Sequence, residues 1–254
     1  IYHPRYVEKN LAVLNELAAY AGERAPSLAV VVGYIDNNPG PGKPFFNCAA
    51  VLQAGEVTLN YRKELLPFYD VFDEGRYFEP DTELAILQLE GQRIGLTICE
   101  DLWNDKGSDD YNYSENPFER YRQAGVDIIV SLNSSPYVHD KVWQRLKVIA
   151  PGTAGMTLVY VNQIGGQDEL VFDGHSFVLR DGHLLHLETA LFEDSFTVVD
   201  TTVERVMIQD VAEEANRSSL LSQCNSLKDL LVLGLRDYVH KAGFEELVLA
   251  SSGG

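Results

Sequence analysis

RIGLTICED, residues 93–101, is an apolar run that ends on a cysteine and two acids. Ile94, Leu96 and Ile98 alternate with Gly95, Thr97 and Cys99, which is the two-residue period of a β-strand. Strict alternation places Cys99 on the Gly95 and Thr97 face. Ala85 to Leu89 lies just before it across Gly91, so the two runs form a hairpin. Asp127 to Leu132 and Thr157 to Asn162 are largely apolar, as expected of strands covered on both faces. Leu28 to Gly33 is a shorter buried strand, and Asn37 to Lys43, with two Pro-Gly pairs, is a loop.

Two more hairpins flank this centre. Cys48 to Leu52 and Val57 to Lys63 meet at Ala54-Gly55. His175 to Arg180 and His183 to Leu187 meet at Asp181-Gly182, a preferred two-residue turn because both positions need positive φ. Residues 6–22 carry Val7, Leu11, Leu14, Leu17, Ala18 and Ala21 on one helical stripe. Pro117 to Gln123 and Lys141 to Ile149 are helices ahead of the two buried strands. Ser226 to Ala242 is a helix with Ser226 as N-cap and Gly243 at the stop. Thr201 to Gln223 reads as a linker and Leu247 to Ala250 as a strand. The fold class is α/β, with packed sheets flanked by helices in place of a doubly wound sheet.

Of 254 residues, 45% are hydrophobic and 10% aromatic, enough for a sizeable core and too many for a disordered chain. The net charge of −18, with no basic patch, argues against nucleic acid as a partner. No apolar run approaches the roughly 18 residues of a membrane helix. Three cysteines, Cys48, Cys99 and Cys224, give no disulfide framework and fit a reducing compartment. The start at Ile1-Tyr2-His3 and the end at Ser251-Ser252-Gly253-Gly254 read as cut. The expectation is a cytoplasmic fragment of a longer protein.

Cys99, at a strand end before Glu100-Asp101, is placed for exposure in a cleft. The commoner fate of a free cysteine is burial in a core. The adjacent acids raise a thiol pKa, so a cation is needed to favour the thiolate. Lys63 alternates with Val57, Leu59 and Tyr61 onto an otherwise apolar face, so its ammonium can point inward; lysines more often end in solvent. No CxxC or HExxH supports a metal site. His183 and His186 fall on opposite strand faces. Gly174-His175-Ser176 lacks the second glycine of a nucleophile elbow. Asn112, Asn133 and Asn216 fit a glycosylation pattern that has no meaning in a cytoplasmic chain.

Several motifs occur in order: YRKELLPFYDVFDEGRYFEP (61–80), ICEDLW (98–103), NSSPY (133–137) and VYVNQIGGQDELVFDGHSF (159–177). Together they closely resemble the glutaminase domain of glutamine-dependent NAD synthetases, in the nitrilase superfamily. The tail, residues 233–254, resembles the start of the synthetase domain. The resemblance implies a four-layer α-β-β-α sandwich with a Glu-Lys-Cys triad. Cys99 matches the nucleophile and Lys63 the triad lysine, with the Glu100 backbone N–H on the oxyanion. Tyr69 matches a substrate-side tyrosine and Glu74 a second glutamate. Ser135 and Lys141 match positions near the glutamine, Lys141 where some members have Arg. Ser252, Gly253 and Gly254 are similar to the opening of the ATP loop.

The same resemblance implies a division at residues 1–200 (glutaminase), 201–223 (linker) and 224–254 (start of the synthetase). It implies glutamine, nicotinic acid adenine dinucleotide and ATP with Mg2+ for the intact enzyme, no cofactor for the glutaminase step, and a homo-oligomer; the exclusion of nucleic acid and membrane as partners rests on the charge and hydropathy above. The family's triad glutamate, with the first strand and helix of the fold, lies upstream of anything here, and Glu8 is in the wrong context to replace it. The Asp-Ser that continues the ATP loop is also absent. This piece alone is therefore expected to be inactive. A stand-alone amidase of the same superfamily, or an incomplete module serving only assembly, are the alternatives, and the tail argues against the first.

Overall fold

The computed structural model describes residues 5–103, 113–188, 192–200 and 220–250. The chain opens with α1 (Tyr6–Arg24), then β1 (Val30–Asn37), β2 (Phe45–Gln53) and β3 (Glu56–Arg62). It continues with β4 (Ile86–Leu89), β5 (Gln92–Ile98), α2 (Pro117–Gln123), β6 (Ile128–Asn133), α3 (Lys141–Ile149) and β7 (Thr157–Asn162). A small hairpin, β8 (Ile164–Gln167) and β9 (Leu170–Asp173), precedes β10 (Phe177–Arg180) and β11 (His183–Leu187). The last described helix is α4 (Leu220–Ala242).

β1, β2 and β3 form an antiparallel sheet in that order, and a six-stranded sheet runs β11-β10-β7-β6-β5-β4. Within it β5, β6 and β7 are parallel neighbours. Parallel pairing requires crossovers, and α2 and α3 supply them. The turns follow the expected chemistry: Ala54-Gly55, Glu90-Gly91 and Asp181-Gly182 each place both residues at positive φ.

Four layers result. Leu14 and Ala18 of α1 pack on Tyr34, Cys48, Ala50 and Leu52, one face of the first sheet. Ala49 and Val51, on the opposite face of β2, meet Leu96, Ile98 and Leu132 of the second sheet. The far side of that sheet, with Ile129, Leu158 and Phe177, is covered by Phe118, Tyr121, Val142, Leu146 and Ile149 of α2 and α3. This is the α-β-β-α sandwich expected. Gly95 sits where α2 comes closest: a Cβ there would lie 2.7 Å from the Tyr121 ring. The Tyr121 hydroxyl donates to the Leu96 carbonyl at 2.6 Å and accepts from the Ala85 N–H at 3.0 Å, so the ring is pinned.

Two expectations are corrected. The final helix begins at Leu220, so Ser226 lies inside it and does not cap it. Gly243 does stand at its stop, at φ 73°. Leu247 to Ala250 is not a strand, and Val248 is 99% exposed. Apolar β-formers become a strand only where a ladder partner exists, and no described segment pairs with them. The β8–β9 hairpin was not foreseen, because its Gly165-Gly166 pair breaks the alternation. Most of the expected linker, residues 201–219, lies outside the described residues, as do Ser252, Gly253 and Gly254.

Candidate active site

β3 delivers Lys63 one residue past its end. The Lys63 backbone N–H still bonds the Asn47 carbonyl at 2.8 Å, so the side chain holds the inward alternation of Tyr61. Lys63 is only 1% exposed. Its Nζ donates to Glu74 Oε1 at 2.7 Å. Glu74 begins a short helical turn, Glu74–Arg76, and its Oε2 accepts from Asn47 Nδ2 at 3.2 Å.

Cys99 corrects the simple alternation. It leaves β5 at φ 46° as the first residue of a turn, Cys99–Leu102. A left-handed residue breaks the two-residue period, so Cys99 packs with Ile98 in the core between the sheets and not on the Gly95 side. Such a conformation costs a non-glycine residue roughly 1–3 kcal/mol and is typical of functional turns.

The two side chains meet in a cavity of about 400 Å³ between the sheets. Lys63, Glu74, Cys99 and Glu100 line it with Asn47, Phe72, Asn133, Ser134, Asn162 and Gln163. Burial is the largest influence on the Cys99 thiol and pushes it up to about 11. Lys63 and the Ser134 backbone pull the other way, and Glu100 and Glu74 add to the rise. Burial by itself would depress the Lys63 ammonium. Glu74, Cys99 and Asp101 outweigh that and hold it above the ordinary lysine value, so it stays charged.

Glu100 is buried and accepts from the Tyr69 hydroxyl at 2.7 Å and the Tyr113 hydroxyl at 3.1 Å. Tyr69 thus bears on the cavity through Glu100. Ser135 stands behind the wall: its N–H donates to Asn162 Oδ1 at 2.9 Å, and its Oγ accepts from Arg145 Nη2 at 3.2 Å. Lys141 opens α3 with its ammonium 4.7 Å from the centre of the Trp103 ring. Neither Ser135 nor Lys141 lines the cavity.

Sequence reasoning passed over four groups. Asn133 and Asn162 end adjacent parallel strands and face the cavity. Asp101 is fully buried beside Lys63. Arg145 and Asp173 form a buried ion pair at 3.2 Å behind Ser135. Polar residues at strand ends and at positions of an apolar helix face were the available signal.

Residues 5–182 match the carbon-nitrogen hydrolase family. The chain belongs to that family. This carbon-nitrogen hydrolase is 32% identical to a glutamine-dependent NAD(+) synthetase of Synechocystis sp., over 100% of its own length and 46% of that protein's. It is 34% identical to the synthetase of Xanthomonas campestris pv. campestris, over 96% of its own length and 42% of that protein's. The structure of glutamine-dependent NAD+ synthetase from Acinetobacter baumannii superposes with a TM-score of 0.72 at 28% identity, covering 96% of this chain and 44% of that one. A carbon-nitrogen hydrolase from Helicobacter pylori G27 shares the fold, with a TM-score of 0.61 at 18% identity, over 89% of this chain and 80% of that one. The chain spans less than half the length of these synthetase relatives.

Proposed function

We propose that this carbon-nitrogen hydrolase is the glutamine amidohydrolase portion of an NAD synthetase. The observation that carries the reading is the pairing, in one cavity between the sheets, of a strained-turn cysteine with a buried, charged lysine. The Cys99 thiolate attacks the glutamine carboxamide, while the Lys63 ammonium and the Glu100 N–H hold the developing oxyanion. The carbon–nitrogen bond breaks, ammonia leaves, and water hydrolyses the thioester to glutamate. Glu74 keeps Lys63 charged and aimed. Glu100 with Tyr69 presents a carboxylate suited to the α-ammonium of glutamine. Ser135 backs the wall through Asn162 on the same reading, whereas Lys141, packed on Trp103, lies outside the cavity lining.

In the whole enzyme the ammonia would amidate nicotinic acid adenine dinucleotide, with ATP and Mg2+, at a site that Ser252, Gly253 and Gly254 begin. Assembly as a homo-oligomer belongs to the same reading. None of the residues assigned above acts as the general base, so a covalent probe that needs none is the suitable test. A chloroketone analogue of glutamine is expected to alkylate Cys99, and glutamine to protect it where butyramide at equal concentration does not. Equal protection by butyramide would favour a simple amidase; labelling that avoids Cys99 would refute the nucleophile.

A further inference from the structure

Asp101 takes no part in the step above and does not line the cavity, yet it is fully buried next to it. Its Oδ1 accepts from the Leu65 N–H at 2.9 Å. Its Oδ2 accepts from the Ile98 N–H at 2.8 Å and from the Tyr61 hydroxyl at 2.8 Å. Tyr61 and Leu65 stand two residues on either side of Lys63, and Ile98 immediately precedes Cys99. One carboxylate therefore grips both segments that carry the reacting groups.

We infer that Asp101 is a positioning residue that locks the Cys99 turn to the Lys63 segment and so sets the ammonium against the sulfur. The inference rests on the reading of Lys63 and Cys99 given above. Three donors converge on two oxygens, which only an ionised carboxylate can accept without offering a proton in return. Burial raises the Asp101 carboxyl to about 6, against the pull of Lys63 and the three donors, so above that pH it is the required acceptor. The bond to Ile98 is the carboxylate half of a capping box and fixes the entry to the Cys99 turn. Asparagine cannot reproduce this set: one of its amide faces donates, and either Leu65 or Ile98 loses its acceptor.

The test is the rate at which iodoacetamide alkylates Cys99, followed on the Cys99 peptide by mass spectrometry. It compares the wild type with Lys63→Met, Asp101→Asn, Tyr61→Phe and Thr153→Val at about pH 9, in the range where one unit of thiol pKa is about tenfold in rate. Lys63→Met is expected to slow the reaction about tenfold and Asp101→Asn about three- to tenfold. Tyr61→Phe, which removes one of the three bonds, is expected to slow it about twofold. Thr153→Val deletes a buried hydroxyl that bonds Ala150 and Gly182 far from the cavity, so it is expected to lower the melting temperature and leave the rate alone. A wild-type or faster rate in folded Asp101→Asn, with Lys63→Met slowed, overturns the inference. If Asp101→Asn does not fold, an unchanged rate in Tyr61→Phe overturns it instead. An unchanged rate in Lys63→Met would sink the lysine–cysteine pairing itself, and the role of Asp101 with it.

Discussion

Alkylation of Cys99 by iodoacetamide is expected to quicken about tenfold for each pH unit between pH 7 and pH 10, roughly a thousandfold in all. The reason is the balance at the sulfur. Burial disfavours the thiolate most, Lys63 favours it, and Glu100 and Glu74 disfavour it again, which leaves the thiol at about 11. At pH 7 the thiolate is then on the order of one part in ten thousand. Only that fraction attacks, so the rate follows hydroxide until the thiol titrates. A plateau reached by about pH 8 would show that the Lys63 charge outweighs burial. The same balance says why the chemistry needs a general base: at neutral pH the proton must leave Cys99 as the bond to carbon forms.

Asp173→Ala is expected to cost about 3–5 kcal/mol of stability, measured by denaturant unfolding, because it strands a fully buried guanidinium. Arg145 Nη1 and Nη2 each lie 3.2 Å from Asp173 Oδ1, and both residues are buried. Asp173 also bonds the ring of His175 at 2.9 Å and accepts from Asn162 Nδ2 at 3.3 Å. Burial alone would raise the Asp173 carboxyl, but His175 and Arg145 outweigh it and hold it below the ordinary value. A depressed carboxyl stabilises the fold above the usual carboxylate range, and that contribution drains as pH falls through the native value. Arg145→Met together with Asp173→Leu is expected to recover most of the loss, since a buried pair is replaceable by apolar groups of similar size. A cost under about 1 kcal/mol for Asp173→Ala would mean that water reaches Arg145.

The strands were legible because their periods differ from those of the helices. RIGLTI, DIIVSL and TLVYVN fall on β5, β6 and β7, and Pro117–Gln123 and Lys141–Ile149 are helices with those bounds. Alternation failed at Cys99, where one left-handed residue redirects the side chain, and no local pattern announces that in a non-glycine residue. It failed again at Leu247 to Ala250, because strand propensity says nothing about whether a partner is present. The site was half visible. Lys63 could be placed inward from its neighbours, and resemblance tied it to Cys99 and Glu74. Asp101 counts in the sequence only as an acid next to the cysteine, because its three donors come from residues 3 to 40 positions away. Arg145 stands among Val142, Leu146 and Ile149 on the buried face of α3, an anomaly that pointed to a buried partner without naming Asp173.

On the proposed function, Cys99 releases ammonia from glutamine for a second site. In an enzyme that carries both this chain and the synthetase half, Cys99→Ala is expected to abolish NAD formation from glutamine while free ammonium still supports it. NAD formation from glutamine at the wild-type rate in Cys99→Ala would contradict the account.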